Sequence, residues 1–319
     1  GVDLYSRQHG IKGVPYDGPG GLQMLREKGH MLLPLVILIG LIAAFSTSPQ
    51  FAALWASLSI VVVSFFRKET RYSFQKVLDS LEAGAMGVLS ISVICAASGL
   101  IIGVFTVTGV GLKLSSAIIH FAGGNLMLLL VLAMLASLIL GMGVPTVAAY
   151  LILAILVAPA VTGFGVLPMA AHMFVFYFGI ISAITPPVAL AAYVAAGIAD
   201  DDPMQVGLEA CRLALPVFIV PYIFVYQPGL MMVGTLGDIV PVVITSLLGS
   251  FFCAVAVQGY IFCKLRIWER VVMLTSAFFA LIPESITDII GVSTAIFILA
   301  LCFLRAKKEK AANQSHSSA

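Results

Sequence analysis

Charge is what this chain has least of. Only 10% of its 319 residues are Asp, Glu, Lys or Arg, against roughly 25% in soluble domains. Between Glu82 and Asp200 the only formal charge is Lys113. A carboxylate proton relay within the membrane needs Asp or Glu there, and this stretch supplies neither. The five cysteines lie in or beside apolar stretches without paired short spacing, which argues against a disulfide framework or a thiolate metal site. No glycine loop ends in Lys-Ser/Thr, and Gly-x-Ser-x-Gly, His-Glu-x-x-His and Cys-x-x-Cys are missing too. Nucleotide hydrolysis by a P-loop and the common hydrolase mechanisms therefore find no foothold. A basic, aromatic surface for nucleic acid is likewise lacking. Nor does a cleavable signal peptide precede the first apolar run, because Gly1 to Gly29 is polar and irregular.

What is present is apolar. Hydrophobic residues make up 61% of the chain and mean hydropathy is +1.09, more apolar surface than one soluble core absorbs. A helix needs about 20 such residues to cross a bilayer. Candidate spans fall at Met31–Phe45, Pro49–Phe66, Ala83–Val104, Asn125–Leu140, Val147–Val161, Met169–Ile198, Leu213–Met232, Ile239–Cys263, Val271–Pro283 and Ile286–Leu304. Ser73–Glu82 has apolar residues at helical spacing with charges between them, as a helix lying on the membrane surface does. Basic residues cluster at Lys12–Lys28, Arg67–Lys76, Lys264–Arg270 and Arg305–Lys310. Placing every cluster in the cytoplasm requires an even number of crossings between successive ones. That parity holds whether residues 125–161 cross twice or dip in and return. The expected divisions are a linker at 1–29, a helical pair at 30–72, a membrane region at 73–234 that a family resemblance implies is half of a transport domain, a membrane extension at 235–304 and a basic disordered tail at 305–319.

Two interruptions carry the functional argument. Gly141-Met142-Gly143-Val144-Pro145-Thr146 divides one apolar stretch, and Ile184-Thr185-Pro186-Pro187 divides the next. Proline lacks an amide proton and clashes with the preceding turn, and glycine loosens the backbone. In hydrocarbon, unwound backbone persists only where protein or a water-filled cavity satisfies it, so paired broken helices point to a transport site. The bland alternative is a packing kink. A polar tip favours a re-entrant hairpin over 125–163, followed by a broken helix over 168–198. Without carboxylates, a cation held here would take backbone carbonyls and hydroxyls, the ligands of a hard ion such as sodium. The candidate ion and substrate residues are Gly141, Gly143, Pro145 and Thr146 at the tip, with Ser182, Thr185, Pro186 and Pro187 at the break. For each hydroxyl the rival role is a bond back to its own helix. His120 and His172, without carboxylate partners, read first as packed or interfacial residues. Asp200-Asp201-Asp202, ahead of Pro203, reads as helix termination and capping. Lys113, with Ser115 and Ser116, reads as an interfacial group. No catalytic residue, resident cofactor or further metal is expected.

At these same residues the chain resembles the large membrane subunit of tripartite ATP-independent periplasmic (TRAP) transporters. The similarity runs through Gly141–Pro159 and on from Pro168 to Met232, and more narrowly the chain resembles the fused branch that works with TAXI-type binding proteins. A weaker likeness after Asp238, through Trp268-Glu269-Arg270 to Asp288, is similar to that branch's C-terminal extension. The resemblance implies an all-α polytopic protein of the bacterial inner membrane. It implies one elevator-type repeat, with a re-entrant hairpin and a discontinuous helix, and extra C-terminal helices. It implies sodium-coupled import of a small organic acid or amino acid delivered by a periplasmic solute-binding protein. By carry-over, Gly141–Thr146 would be the second hairpin tip and Thr185–Pro187 the unwound point, holding one sodium and one side of the substrate cavity. The dicarboxylate branch has an aspartate near its tip; Val144 and Pro145 stand in that neighbourhood here. The family uses two inverted repeats and only the second set is visible, so the chain is expected to be a C-terminal half that needs its N-terminal half to transport. Alternatives are a non-transporting membrane scaffold, an inactive fragment, or a membrane enzyme; the lack of nucleophile–base pairs disfavours the last.

Overall fold

A computed structural model describes residues 1–11, 20–45, 47–65, 71, 73–280 and 285–317. Parts of several expected features lie outside them, among them the Lys12–Lys28 and Arg67–Lys76 clusters, the ends of the Pro49–Phe66 and Val271–Pro283 spans, and the last two residues of the tail. In chain order the helices are α1 (Val2–Gln8), α2 (Gly21–Lys28), α3 (Leu33–Ala43), α4 (Pro49–Ser64), α5 (Phe74–Thr108), α6 (Val110–Ala122), α7 (Leu126–Gly141), α8 (Thr146–Leu156), α9 (Ala158–Gly163), α10 (Pro168–Ile181), α11 (Leu190–Ala199), α12 (Pro203–Tyr226), α13 (Leu236–Gln258), α14 (Ile267–Phe279) and α15 (Ser285–Ser317). Among the described residues there is no strand beyond an isolated Tyr260–Lys264 bridge. The protein is an all-α, polytopic membrane protein. Thr146–Gly163, Pro203–Tyr226, Leu236–Gln258 and Thr287–Lys307 are each long and apolar enough to cross a bilayer, and Cys95–Thr108 with Val110–Ala122 forms a further pair bent by 69°.

The chain forms two units. One, Gly13–Val93, holds α3 packed on α4. Pro49 starts α4 behind Ser48, whose hydroxyl accepts the Phe51 amide. The other comprises Gly1–Lys12 and Ile94–Ala319 and contains two buried cores. In the first, Leu129, Leu130 and Ala133 of α7, Leu153 and Leu156 of α8, and Phe174 and Phe178 of α10 are buried together. Phe174, Phe178 and Tyr222 meet edge to face, the inner rings 4.9 Å apart, a geometry that aligns ring edges with π faces. The second core joins Phe252 and Cys253 of α13, Met273 and Ala277 of α14, and Ile298 and Cys302 of α15, with Leu4 from α1.

Several boundaries differ from those read in the sequence. Ser73–Glu82 is not a separate surface helix: α5 runs unbroken from Phe74 to Thr108, since no proline interrupts it. Residues 110–122 form a helix that hydropathy alone did not mark, begun at Gly109 in the left-handed region (φ 67). Ser115 there is buried rather than interfacial, and its hydroxyl donates to the Leu156 carbonyl at 2.9 Å. That carbonyl is open to α6 because the Ala160 amide, its α-helical donor, bonds Val157 instead (3.0 Å) at the break between α8 and α9. α12 begins ten residues before the expected span, because Asp202 caps it by accepting the Gln205 amide at 2.8 Å and Pro203 fits the first turn. The expected disordered tail continues α15 through Ser317; from Arg305 its Ala, Lys and Glu favour helix, with neither Gly nor Pro to stop it.

Candidate functional site

The first break follows from its residues one bond at a time. α7 ends at Gly141, Met142 is extended (ψ 127), and Gly143 turns left-handed with φ 72, where a side chain would be strained. Pro145 has no amide to return to the Gly141 carbonyl, so the Val144 amide takes it at 3.3 Å. Thr146 then opens α8, whose first backbone bond runs from the Ala149 amide to the Pro145 carbonyl at 2.9 Å. No side chain caps this start, so the first-turn amides form an uncapped, partly positive helix end. α7 has 16 residues, about 24 Å of helix, short of the ~30 Å hydrocarbon layer.

The second break has a different cause. α10 tightens into a 3-10 turn at Ser182–Ile184, and Thr185 is extended (φ −100, ψ 120). The Pro186–Pro187 peptide is cis, and Ala189 is left-handed before α11 resumes. Tandem proline strips the preceding turn of donors: the Ala183 carbonyl meets a proline both three and four residues on. Ser182 keeps one bond, from the Thr185 amide at 3.2 Å. Both side-chain hydroxyls bond back to their own helix, Ser182 to the Gly179 carbonyl at 2.6 Å and Thr185 to the Ile181 carbonyl at 2.9 Å. Each thereby places its proton and retains oxygen lone pairs.

The two breaks lie against each other. A Cβ on Gly141 would come within 2.8 Å of Ser182 Oγ and 2.9 Å of the Gly179 carbonyl, and one on Gly143 would lie 3.7 Å from Val188 Cγ1. Glycine at 141 is what lets the end of the hairpin's first arm touch the turn that ends α10. Gly143, Pro145, Thr146 and Pro187 are exposed, Thr185 and Pro186 half-buried, and Gly141 and Ser182 buried. Thr146 is thus open at the surface where the Gly141–Ser182 contact is buried.

Several neighbours went unread in the sequence. Gly207 of α12 faces Pro186, Tyr193 and Ala189, with Pro186 Cγ 3.4 Å from the position a Cβ would take. The Cys211 thiol, one turn on, lies beside Thr185. Tyr193 donates to the Pro187 carbonyl at 2.6 Å. His172 has a partner after all, the Tyr150 hydroxyl at 3.2 Å, which links α10 to α8. A glycine inside an apolar helix was the one signal available for Gly207; the tyrosines gave none, because their partners are distant in sequence. Among the described residues no three of His, Cys, Asp and Glu converge. The arrangement is thus one of carbonyls, hydroxyls and helix ends, suited to holding small ions and polar solutes.

Comparison with known proteins adds one finding. The family model described as tripartite ATP-independent periplasmic transporter, DctM component, matches residues 2–239. The matched stretch takes in both breaks and all of α12. Neither the curated proteins nor the solved structures gave a match.

Proposed function

The chain belongs to the family of the DctM component of tripartite ATP-independent periplasmic transporters, a transporter permease and not an enzyme, and from that premise we propose that it carries a small organic acid or amino acid inward with sodium. The solute is handed over by a periplasmic binding protein of the TAXI type, and the permease sits in a bacterial inner membrane. The observation that carries this reading is the contact of Gly141 with Gly179 and Ser182, which sets a proline-broken hairpin tip beside a helix end with an undonated carbonyl. Carbonyl ends of broken helices favour cations and amide ends favour anions. In this reading Thr185 and the Ala183 carbonyl bind the sodium, with Ser182 behind them. The uncapped start of α8 at Thr146 faces the carboxylate of the solute, and Gly141, Gly143, Pro145, Pro186 and Pro187 shape the cavity. The expected inverted set of hairpin and broken helix completes it.

Proteoliposomes holding the whole permease, supplied with its binding protein and a panel of labelled small carboxylates and amino acids, test the proposal. Uptake is expected to follow an inward sodium gradient and to stop when choline replaces sodium. Thr185→Ala is expected to raise the half-saturating sodium concentration about tenfold, the equivalent of ~1.4 kcal/mol, and Thr146→Ala to raise the half-saturating solute concentration, both at normal expression. Uptake indifferent to sodium would remove the coupling assignment. A complex that assembles but moves no solute would favour the scaffold.

A further inference from the structure

Where α13, α14 and α15 meet at one end, the chain places more positive charge than its own contacts use. α13 ends at Gln258, Gly259 turns left-handed, and the Leu265 amide closes the link by donating to the Gly259 carbonyl at 2.8 Å. α15 returns to the same place, where the Cys263 thiol donates to the Cys302 carbonyl at 3.6 Å and the Phe262 and Phe303 rings meet edge to face at 5.5 Å. Across Gly259–Arg270 and Ala300–Lys307 there are five basic residues and one carboxylate, Glu269.

Two of the five cations are engaged internally. Arg270 Nε and Nη2 donate to the Ala256 and Val257 carbonyls at 2.9 and 2.8 Å, capping α13. Arg305 pairs with the fully buried Glu269, which also accepts the Arg266 amide at 2.7 Å. The side chains of Lys264, Arg266 and Lys307 remain exposed, in no ion pair among the described residues. Between them stand large apolar side chains that the described residues cover only in part: Phe262 is 49%, Ile267 81% and Trp268 50% exposed. An aqueous surface gains nothing from that mixture, and an acidic protein partner would explain the cations but not the rings. The position explains both, because Leu236–Gln258 and Thr287–Lys307, two helices of spanning length, end here. Tryptophan and basic residues collect where hydrocarbon gives way to headgroups, and anionic lipid attracts such cations.

We propose that this end of the molecule binds anionic phospholipid headgroups, with Lys264, Arg266 and Lys307 on the phosphates and Trp268 and Phe262 seated at the hydrocarbon boundary. The assignment is independent of transport. The chain has two tryptophans, so Trp55→Phe leaves Trp268 as the sole tryptophan, excited selectively at the red edge of the aromatic band. The purified full chain is reconstituted into phosphatidylcholine bilayers containing equal fractions of either brominated phosphatidylglycerol or brominated phosphatidylcholine, and Trp268 quenching gives the relative affinities. The anionic lipid is expected to be favoured roughly five- to tenfold, less so at about 0.5 M salt. K264Q/R266Q/K307Q should bring the ratio to about one, while K264R preserves it. Should the triple variant lose its helical circular dichroism, the single substitutions K264Q and R266Q must each lower the ratio. A ratio of one in the parent, or a ratio untouched by charge removal in folded variants, overturns the proposal.

Discussion

Gly141 is the residue on which the site's geometry turns. Its missing side chain is replaced by the neighbouring helix, with Ser182 Oγ and the Gly179 backbone inside 3.0 Å of where a Cβ would stand. Backbone cannot swing aside as a flexible side chain can, so Gly141→Ala is expected to destabilise by about 1–3 kcal/mol, read as a lower melting temperature of the purified protein. Gly99 supplies the contrast: nothing lies within 4 Å of its Cβ position, and Gly99→Ala should be neutral or slightly stabilising in the same assay. Equal effects of the two would mean that helix propensity, not contact, governs both. Glu269 makes a second case. Its carboxylate is fully buried between Arg305 and the Arg266 amide. Because Arg305 is partly exposed, Glu269→Gln is expected to cost about 1.5–3 kcal/mol, the range of a charge-assisted hydrogen bond. Restoration by Glu269→Asp would show that charge alone suffices; the tight geometry favours only partial rescue.

At the scale of elements, the break between α10 and α11 has a chemical origin that can be reversed. Pro186 and Pro187 withhold the two amides that would otherwise return to Ser182 and Ala183. A Pro186→Ala/Pro187→Ala variant regains both donors, so residues 182–188 should wind further into helix. Hydrogen exchange of the two restored amides, and of the Val188 amide after them, would then be slow, and sodium dependence of uptake should fall with it. Fast exchange together with a normal sodium response would show that Gly207 and the Tyr193–Pro187 bond, not the prolines, maintain the break. The α8–α9 arm is held differently. Ser115 donates to the carbonyl at its kink, fixing α6 against the hairpin, so α6, which hydropathy did not mark, serves as a brace for the hairpin half of the candidate site.

For the molecule as a whole, the exposed apolar residues that would be a liability in water become the lipid-facing surface, and the interior is distinguished by close approach of small residues. α13 is one crossing in this view. In a cysteine-free variant, Val233→Cys and Lys264→Cys should react with impermeant thiol reagents from opposite faces, Lys264→Cys from the cytoplasmic one by the positive-inside rule. Labelling of both from one face would remove α13 from the set of spans.

Helical, membrane-embedded architecture was legible in the sequence because it is a property of local composition: few charges, long apolar runs, and proline or glycine where helix must stop. The positions of both breaks were legible for the same reason, since a proline removes a donor whatever surrounds it. The caps at Asp202 and Pro203 belong to that class too. Other features were decided only by tertiary contact. Hydropathy did not mark α6, whose charged and polar residues diluted it and whose buried serine answers a carbonyl 41 residues away. Tyr150 with His172, Cys211 with Thr185, and Gly207 with Pro186 meet across helices and follow no local spacing. That Gly141 touches Ser182 depends on two helices approaching through glycine. The sequence therefore determined where the backbone opens, through donors missing from single residues; the packed helices decided which openings meet, because contact between distant segments is set by shape and not by composition.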